Sequence, residues 1–281
     1  MAEQPTPHDV RQAHKDHVVG LLEEEWGTLA TLLQELDDAQ WERRALPGWS
    51  VHDTVSHMVG TERALSGAPQ PPAPPGVDDA AHVRNDIARG NEAWVVALRA
   101  RSHAELLEDF RDVTAARLET LRAATAEEFE APSWTPAGPG TYARFMEIRV
   151  FDCYMHEQDI RVAVGMPGHE SGPAAEQSLH EVVGALGYIV GKRAGAPDGS
   201  RIHIQLTGPI TAELYVAVVE GRAKVVDALD GPATATLALS SALFLRLAGG
   251  RQDPEAALSE IKLGGDDELA RRLATHLAYT I

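Results

Sequence analysis

Apolar residues return every three or four positions through Val10, Val18, Leu21, Leu22, Trp26, Leu29, Leu33 and Leu36. That period predicts one long amphipathic helix opening the chain. It ends before Leu46-Pro47-Gly48-Trp49, a turn, after which Ser50 followed by Asp53 three positions later reads as a helix start. The second helix is predicted over about Val51 to Leu65, with Val51, Val55, Met58, Val59 and Leu65 facing a core. The proline-rich Gly67 to Gly76 stretch is a loop between antiparallel helices. Helical spacing resumes at Val83, Ile87, Trp94 and Leu98, and again at Leu106, Leu107, Phe110, Val113, Leu118 and Leu121. Trp134 to Gly140 is a turn-rich crossing. From there Phe145, Ile148, Phe151, Met155 and Val162 mark another helix, started by Thr141 and stopped by Gly165 and Pro167. The pattern up to this point is entirely helical.

Beyond Pro167-Gly168 the period changes. A helix from Ala174 to about Lys192 is followed by short runs at 201–206, 212–219, 223–228 and 234–239, several alternating as Ile202, Ile204 and Leu206 do. A period of two is that of half-buried strands. Thr207-Gly208-Pro209, Glu220-Gly221 and Asp230-Gly231-Pro232 supply the turns. Ser240 or Ser241 caps a helix through Leu243, Leu245 and Leu247, and a last helix runs from Asp266 through Leu269, Leu273 and Leu277. The expected fold is therefore α+β in two domains, a helical bundle over 1–168 and an α+β domain with an antiparallel sheet over 169–281.

Composition narrows the function. The 281 residues carry 25 Lys and Arg against 42 Asp and Glu, a formal net charge of −17, which repels phosphate backbones and anionic membrane surfaces. Nucleic acid and membrane are excluded as partners, and no apolar run approaches the 18 or so residues of a membrane span. Cys153 is the one cysteine, and MAEQPTPHDV lacks the apolar core of a signal peptide, so a cytoplasmic location is expected.

One stretch carries chemistry. In RVFDCYMHEQDIR, residues 149–161, Asp152 and His156 stand four apart, one helical turn on the same face. That spacing suits two ligands of one divalent ion, or a solvated Asp–His pair. A third ligand must come from another element. On the second helix His52 and His57 lie about 140° apart on the wheel, so only one points inward, and His57, at the margin of the apolar stripe, is favoured. Cys153 reads as a core or neighbouring-helix contact, with metal or redox involvement the alternative. Glu157 and Asp159 are acceptors for a ligand imidazole or solvated charges, and Arg149, Arg84 and Arg89 either meet an acidic substrate or form surface ion pairs. Trp26, Trp41, Trp49 and Trp94 read as core or staple residues. His82, His169, His180, His203 and His276 have no ligand spacing.

The motifs LPGWSVHDTVSHMVGTE at 46–62 and RVFDCYMHEQDIR at 149–161 resemble the DinB-like N-terminal domain of the mycothiol-dependent maleylpyruvate isomerase family. SSALFLRLAGGR at 240–251 and GGDDELARRLATHLAYTI at 264–281 are similar to the sterol-carrier-like domain that follows it there. The resemblance implies an antiparallel four-helix bundle with a metal site at His57, Asp152 and His156, Asp152 standing where better-known members carry Glu. It further implies a divalent metal, zinc being the expected ion, with an open position for a thiol. Mycothiol would be the cosubstrate, with a small-molecule substrate, in a monomer or homodimer. The activity implied is cis-trans isomerisation of a maleylpyruvate-like compound or S-transfer to an electrophile. The rival reading is a non-catalytic small-molecule or lipid-binding protein with a structural metal.

Overall fold

Thr6 and Asp9 launch the first helix reciprocally, the Thr6 hydroxyl accepting from the Asp9 amide and the Asp9 carboxylate accepting from the Thr6 amide. In this computed structural model, which describes residues 5–280, that helix is α1 (Pro7–Gln34). Residues 1–4, the start of the segment read for a signal peptide, and residue 281 lie outside the described residues. The predicted stripe is buried from Val18 to Leu33, while Val10 is exposed and Leu36 falls beyond the helix end. The chain divides into two compact units between Gly168 and His169.

In the first unit α2 (Asp38–Trp41) leads into a small hairpin, β1 (Arg44–Leu46) and β2 (Trp49–Ser50). Gly48 makes its turn at φ +85°, a region open to glycine. Ser50 and Asp53 form the predicted capping box at the start of α3 (Val51–Leu65). α4 (Asp86–Leu98), α5 (His103–Ala123) and α6 (Ala126–Phe129) follow. A second hairpin, β3 (Pro132–Thr135) with β4 (Gly138–Thr141), delivers the chain into α7 (Tyr142–Val164). Thr141 caps α7 and Gly165, at φ +72°, ends it.

α1, α5, α3 and α7 close a four-helix ring in which each packs on two neighbours, and α4 lies outside the ring against α3. The all-helical expectation is corrected by the two hairpins. Both are short and rich in Pro, Gly and Trp, which gives no alternating run to read. Leu65, Ile87 and Val162, expected on core faces, are half-buried or exposed because each lies near a helix end.

The second unit holds α8 (Pro173–Tyr188), which relaxes into one wide turn at 189–193, then β5 (Arg201–Thr207), β6 (Ala212–Val219), β7 (Arg222–Val226) and β8 (Ala235–Ser240). α9 (Ser241–Ala248), capped by Ser240, α10 (Pro254–Ala257), β9 (Lys262–Gly265) and α11 (Asp267–Thr275) complete it. The sheet order is β7-β6-β5-β8-β9. Three of the four pairings are antiparallel as expected, and the departure is the parallel central pair, β5 with β8, in register Ile202 to Ala235 through Thr207 to Ser240. Ile202, Ile204, Leu206, Ala235, Leu237 and Leu239 bury the same face. β9 has no apolar alternation to announce it. A Cβ on Gly264 would stand 2.6 Å from Thr236 Oγ1, so glycine is what permits that strand to lie so close. Among the described residues no helix is long and apolar enough to cross a membrane.

Candidate metal centre

α3 brings His57 to the middle of the ring. It packs against α4, α5 and α7 together, so apolar and polar residues alike are buried around its circumference, and His52 is 6% exposed and His57 4%. The expectation that only one could point inward is corrected here. A helix with one buried stripe would hide only one of them, but Val51 to Gly60 of α3 are all buried. The two rings still diverge. His52 sits within hydrogen-bond reach of the Arg101 carbonyl, Nε2 to O 3.0 Å, and beside Trp41, whereas His57 turns toward α7.

On α7, Asp152 and His156 face it. His57 Nε2 lies 3.4 Å from Asp152 Oδ2, His156 Nε2 lies 3.6 Å from Asp152 Oδ1, and the two imidazole rings are edge to face at 4.9 Å. One donor atom from each residue can be chosen so that all three fall within 4.8 Å of one another. Two donors about 2.1 Å from a tetrahedral ion stand about 3.4 Å apart, so the spacing fits a small divalent cation with little movement. Two imidazoles and a carboxylate also match the donor chemistry of such an ion. The Asp152 side chain is 33% exposed while both histidines are nearly sealed, which leaves the carboxylate edge as the approach from solvent.

The neighbours orient these donors. His156 Nδ1 donates to Asp159 Oδ2 at 3.2 Å, which leaves the Nε2 lone pair free to face Asp152. Glu157, the other acidic candidate, instead accepts from Arg161 Nε at 2.5 Å. His57 Nδ1 is buried without a hydrogen-bond partner among the described residues. The indole of Trp49 covers the histidine pair, 5.3 Å from His57 and 6.5 Å from His156, and is held there by its Nε1 donating to Glu92 Oε2 at 2.8 Å. His82, which had no ligand spacing, packs beside Trp49 and pairs with the same Glu92.

Arg149 is not a surface ion pair, and its donors are taken up inside the protein. It is 3% exposed, its Nε and Nη2 donate to Glu62 Oε1 at 3.0 and 2.7 Å, and its Nη1 donates to Asp152 Oδ2. Arg117 Nε donates to Glu62 Oε2 at 3.1 Å, and Arg117 Nη2 to the Tyr142 hydroxyl at 2.7 Å. Glu62, Arg117 and Tyr142 went unnoticed in the sequence. A signal existed: Glu62 continues the apolar series Val55, Val59 on α3, and Arg117 continues Leu106, Phe110, Thr114 on α5. A charge at a core position needs a buried partner.

Cys153 behaves as a core residue. Trp26 Nε1 and Arg149 Nη2 point at its sulfur from 3.3 and 3.4 Å, and burial pushes its thiol up to about 12, which keeps it protonated and unreactive. Arg89 forms surface pairs with Asp78 and Asp86, and Arg84 donates to the Ala81 carbonyl.

Burial lowers His57 below the ordinary imidazole value, with Asp152 opposing. Burial would raise Asp152, but Arg149 and then the two histidines outweigh it and hold the carboxyl well below its usual range. The unfolded chain protonates this histidine near its ordinary value of about 6.5 while the folded chain resists. Below that value the unfolded state therefore binds more protons, and stability rises with pH. Asp152 adds in the same direction: its contribution is present above its ordinary value of 3.8 and is lost as pH falls through its lowered one. Chelator-treated protein should thus melt at progressively lower temperature as buffer is taken from about pH 7 to about pH 5. The His57→Ala protein should show a flatter profile over that window, and parallel profiles would place the sensitivity elsewhere.

The family model for the mycothiol maleylpyruvate isomerase N-terminal domain matches residues 22–161, and that for the MDMPI C-terminal domain matches residues 176–272. No curated protein sequence matches the chain. Among solved structures it is similar to a mycothiol-dependent maleylpyruvate isomerase, with a TM-score of 0.56 at 18% identity over 89% of this chain and 92% of that one. A histidine-to-alanine mutant of such an isomerase aligns at 17% identity with the same TM-score and coverage. An apo sterol carrier protein 2 from Yarrowia lipolytica aligns with 36% of this chain and 91% of its own, at 14% identity and a TM-score of 0.26.

Proposed function

Because the chain belongs to the mycothiol maleylpyruvate isomerase family, we propose that it is a divalent-metal-dependent enzyme that uses mycothiol to isomerise a maleylpyruvate-like cis-enone acid. His57 Nε2, Asp152 and His156 Nε2 are the ligands in this reading, and zinc is the expected ion, with nickel, cobalt and iron fitting the same donors. The observation that carries it is the convergence of three donors from two helices within 4.8 Å of one another, with the His156 tautomer set by Asp159. Three ligands without sulfur argue for a catalytic rather than a structural centre, since structural zinc takes four, commonly with cysteine. Bound there, the cation would lower the pKa of a thiol so that it reacts as thiolate at neutral pH.

The chain's own residues divide the remaining work. His57, with its pKa lowered by burial, offers a neutral imidazole. Asp152, kept ionised beside Arg149, supplies the negative ligand. Trp49 walls the histidine side off from water. Thiolate addition to the cis double bond makes a single bond that rotates, and elimination returns the trans isomer with the thiol regenerated, so no group is consumed. S-transfer would use the same thiolate but retain it in the product.

The test is protein purified without added metal, analysed for bound elements, and assayed with mycothiol against maleylpyruvate and a panel of electrophiles. Roughly one divalent ion per chain and thiol-dependent isomerisation are expected. Turnover only with alkylating electrophiles would favour S-transfer, and a metal-free, thiol-indifferent protein would overturn the enzyme reading in favour of a binding role. Asp152→Glu should keep the metal and change the rate modestly, whereas Asp152→Asn, which removes the negative ligand while keeping its size, should weaken metal retention.

A further inference from the structure

Three helices each send one charged side chain behind Asp152: Glu62 from α3, Arg117 from α5 and Arg149 from α7. Each is at most 3% exposed. The chain of contacts runs Arg117, Glu62, Arg149, Asp152, so positive and negative alternate and the four charges cancel. Such a group does little for net stability compared with an apolar core. What it does provide is direction. A guanidinium is a rigid planar fork, and once Nε and Nη2 are both held on Glu62 Oε1 the third donor, Nη1, has one direction left. It meets Asp152 Oδ2.

We infer that Arg149, held by Glu62 and Arg117, is a positioning residue that pins Asp152 through one oxygen and presents the other, so that this carboxylate serves a cation as a single-oxygen ligand. The inference rests on the reading of His57, Asp152 and His156 as a cation site. The geometry behind it is the division of the carboxylate. Oδ2 is held by Arg149 and lies 3.4 Å from His57 Nε2, whereas Oδ1, 3.6 Å from His156 Nε2, is the oxygen that Arg149 leaves open. Asp152 is also the most exposed of the three proposed ligands, so without this hold its side chain would be the first to turn toward solvent. Lysine cannot replace the fork, because one ammonium cannot span Glu62 and Asp152 in the same planar arrangement.

The experiment compares the parent chain with Arg149→Lys, Glu62→Gln, Asp152→Asn and the Arg149→Lys/Asp152→Asn double variant, reading cobalt(II) and zinc affinity, the cobalt absorption spectrum and melting temperature. Arg149→Lys should lose about 10- to 100-fold in affinity and shift the cobalt bands, with Glu62→Gln showing a smaller loss in the same direction. In the Asp152→Asn background Arg149→Lys should cost nothing further, since its effect acts through that carboxylate. Should both single variants melt lower yet bind cobalt within about twofold of the parent, or should the two substitutions simply add, Arg149 is a packing residue only. A parent chain that takes up neither ion overturns the cation reading itself and the inference with it, an outcome distinct from a parent that binds and variants that match it.

Discussion

Replacing His57 with alanine is expected to remove bound metal and thiol-dependent turnover together while the bundle stays folded. The remaining proposed donors, Asp152 and His156, come from one helix, and a cation there would lose its only contact across the ring. Even partners one layer behind a ligand cost 10–100-fold when lost, so removing the ligand itself should cost more than about 100-fold in affinity. Folding should survive because Val51, Val55, Met58 and Val59 on the same helix are fully buried independently of the imidazole. His57 Nδ1 has no hydrogen-bond partner among the described residues, so the polar contact given up is that of Nε2 with Asp152. Elemental analysis, turnover with mycothiol and thermal melting on the same preparation check this. Melting that collapses in proportion to metal loss, with no thiol-dependent turnover in the parent, would make the centre a staple.

Glu62→Ala should be the most destabilising single change around the site. Glu62 accepts from both Arg117 and Arg149, which are 2% and 3% exposed, so its loss leaves two desolvated guanidiniums without their shared carboxylate. Breaking a buried pair from one side costs about 3–5 kcal/mol, which in a unit of this size lowers the melting temperature by roughly 6–20 °C. Asp78→Ala offers the contrast. Its pair with Arg89 is exposed on both sides, and its removal should change stability by less than about 1 kcal/mol. Thermal or urea melts of the two variants side by side test the prediction, and similar small effects would mean that water enters behind Asp152.

Much of this follows from the chain read as a string, and the reason is range. Ser50 and Asp53 start α3, and Thr141 and Gly165 bound α7, because a cap joins groups three or four residues apart. Asp152 and His156 share a face for the same reason, since one helical turn separates them whatever else the protein does. The alternation of Ile202, Ile204 and Leu206 likewise announces a strand with one buried side. Such features need only neighbours in sequence.

What needed the tertiary structure is every feature set by which faces meet. His52 and His57 are both buried because α3 packs on three helices at once, a circumstance its own periodicity does not contain. β5 lies parallel to β8 because the chain returns to the far side of β5 after β7, a choice of pairing that alternation leaves open. Trp49 covers the imidazoles from a hairpin too short to be read as strands. Arg149 and Glu62 are 87 positions apart in the chain, and only the crossing of α7 over α3 turns two charges on apolar stripes into a buried fork behind Asp152. The sequence by itself determined the helices, their caps and the local Asp152–His156 pair. The three-dimensional fold decided what stands opposite that pair and what holds it, because long-range contacts depend on packing that no short window of residues encodes.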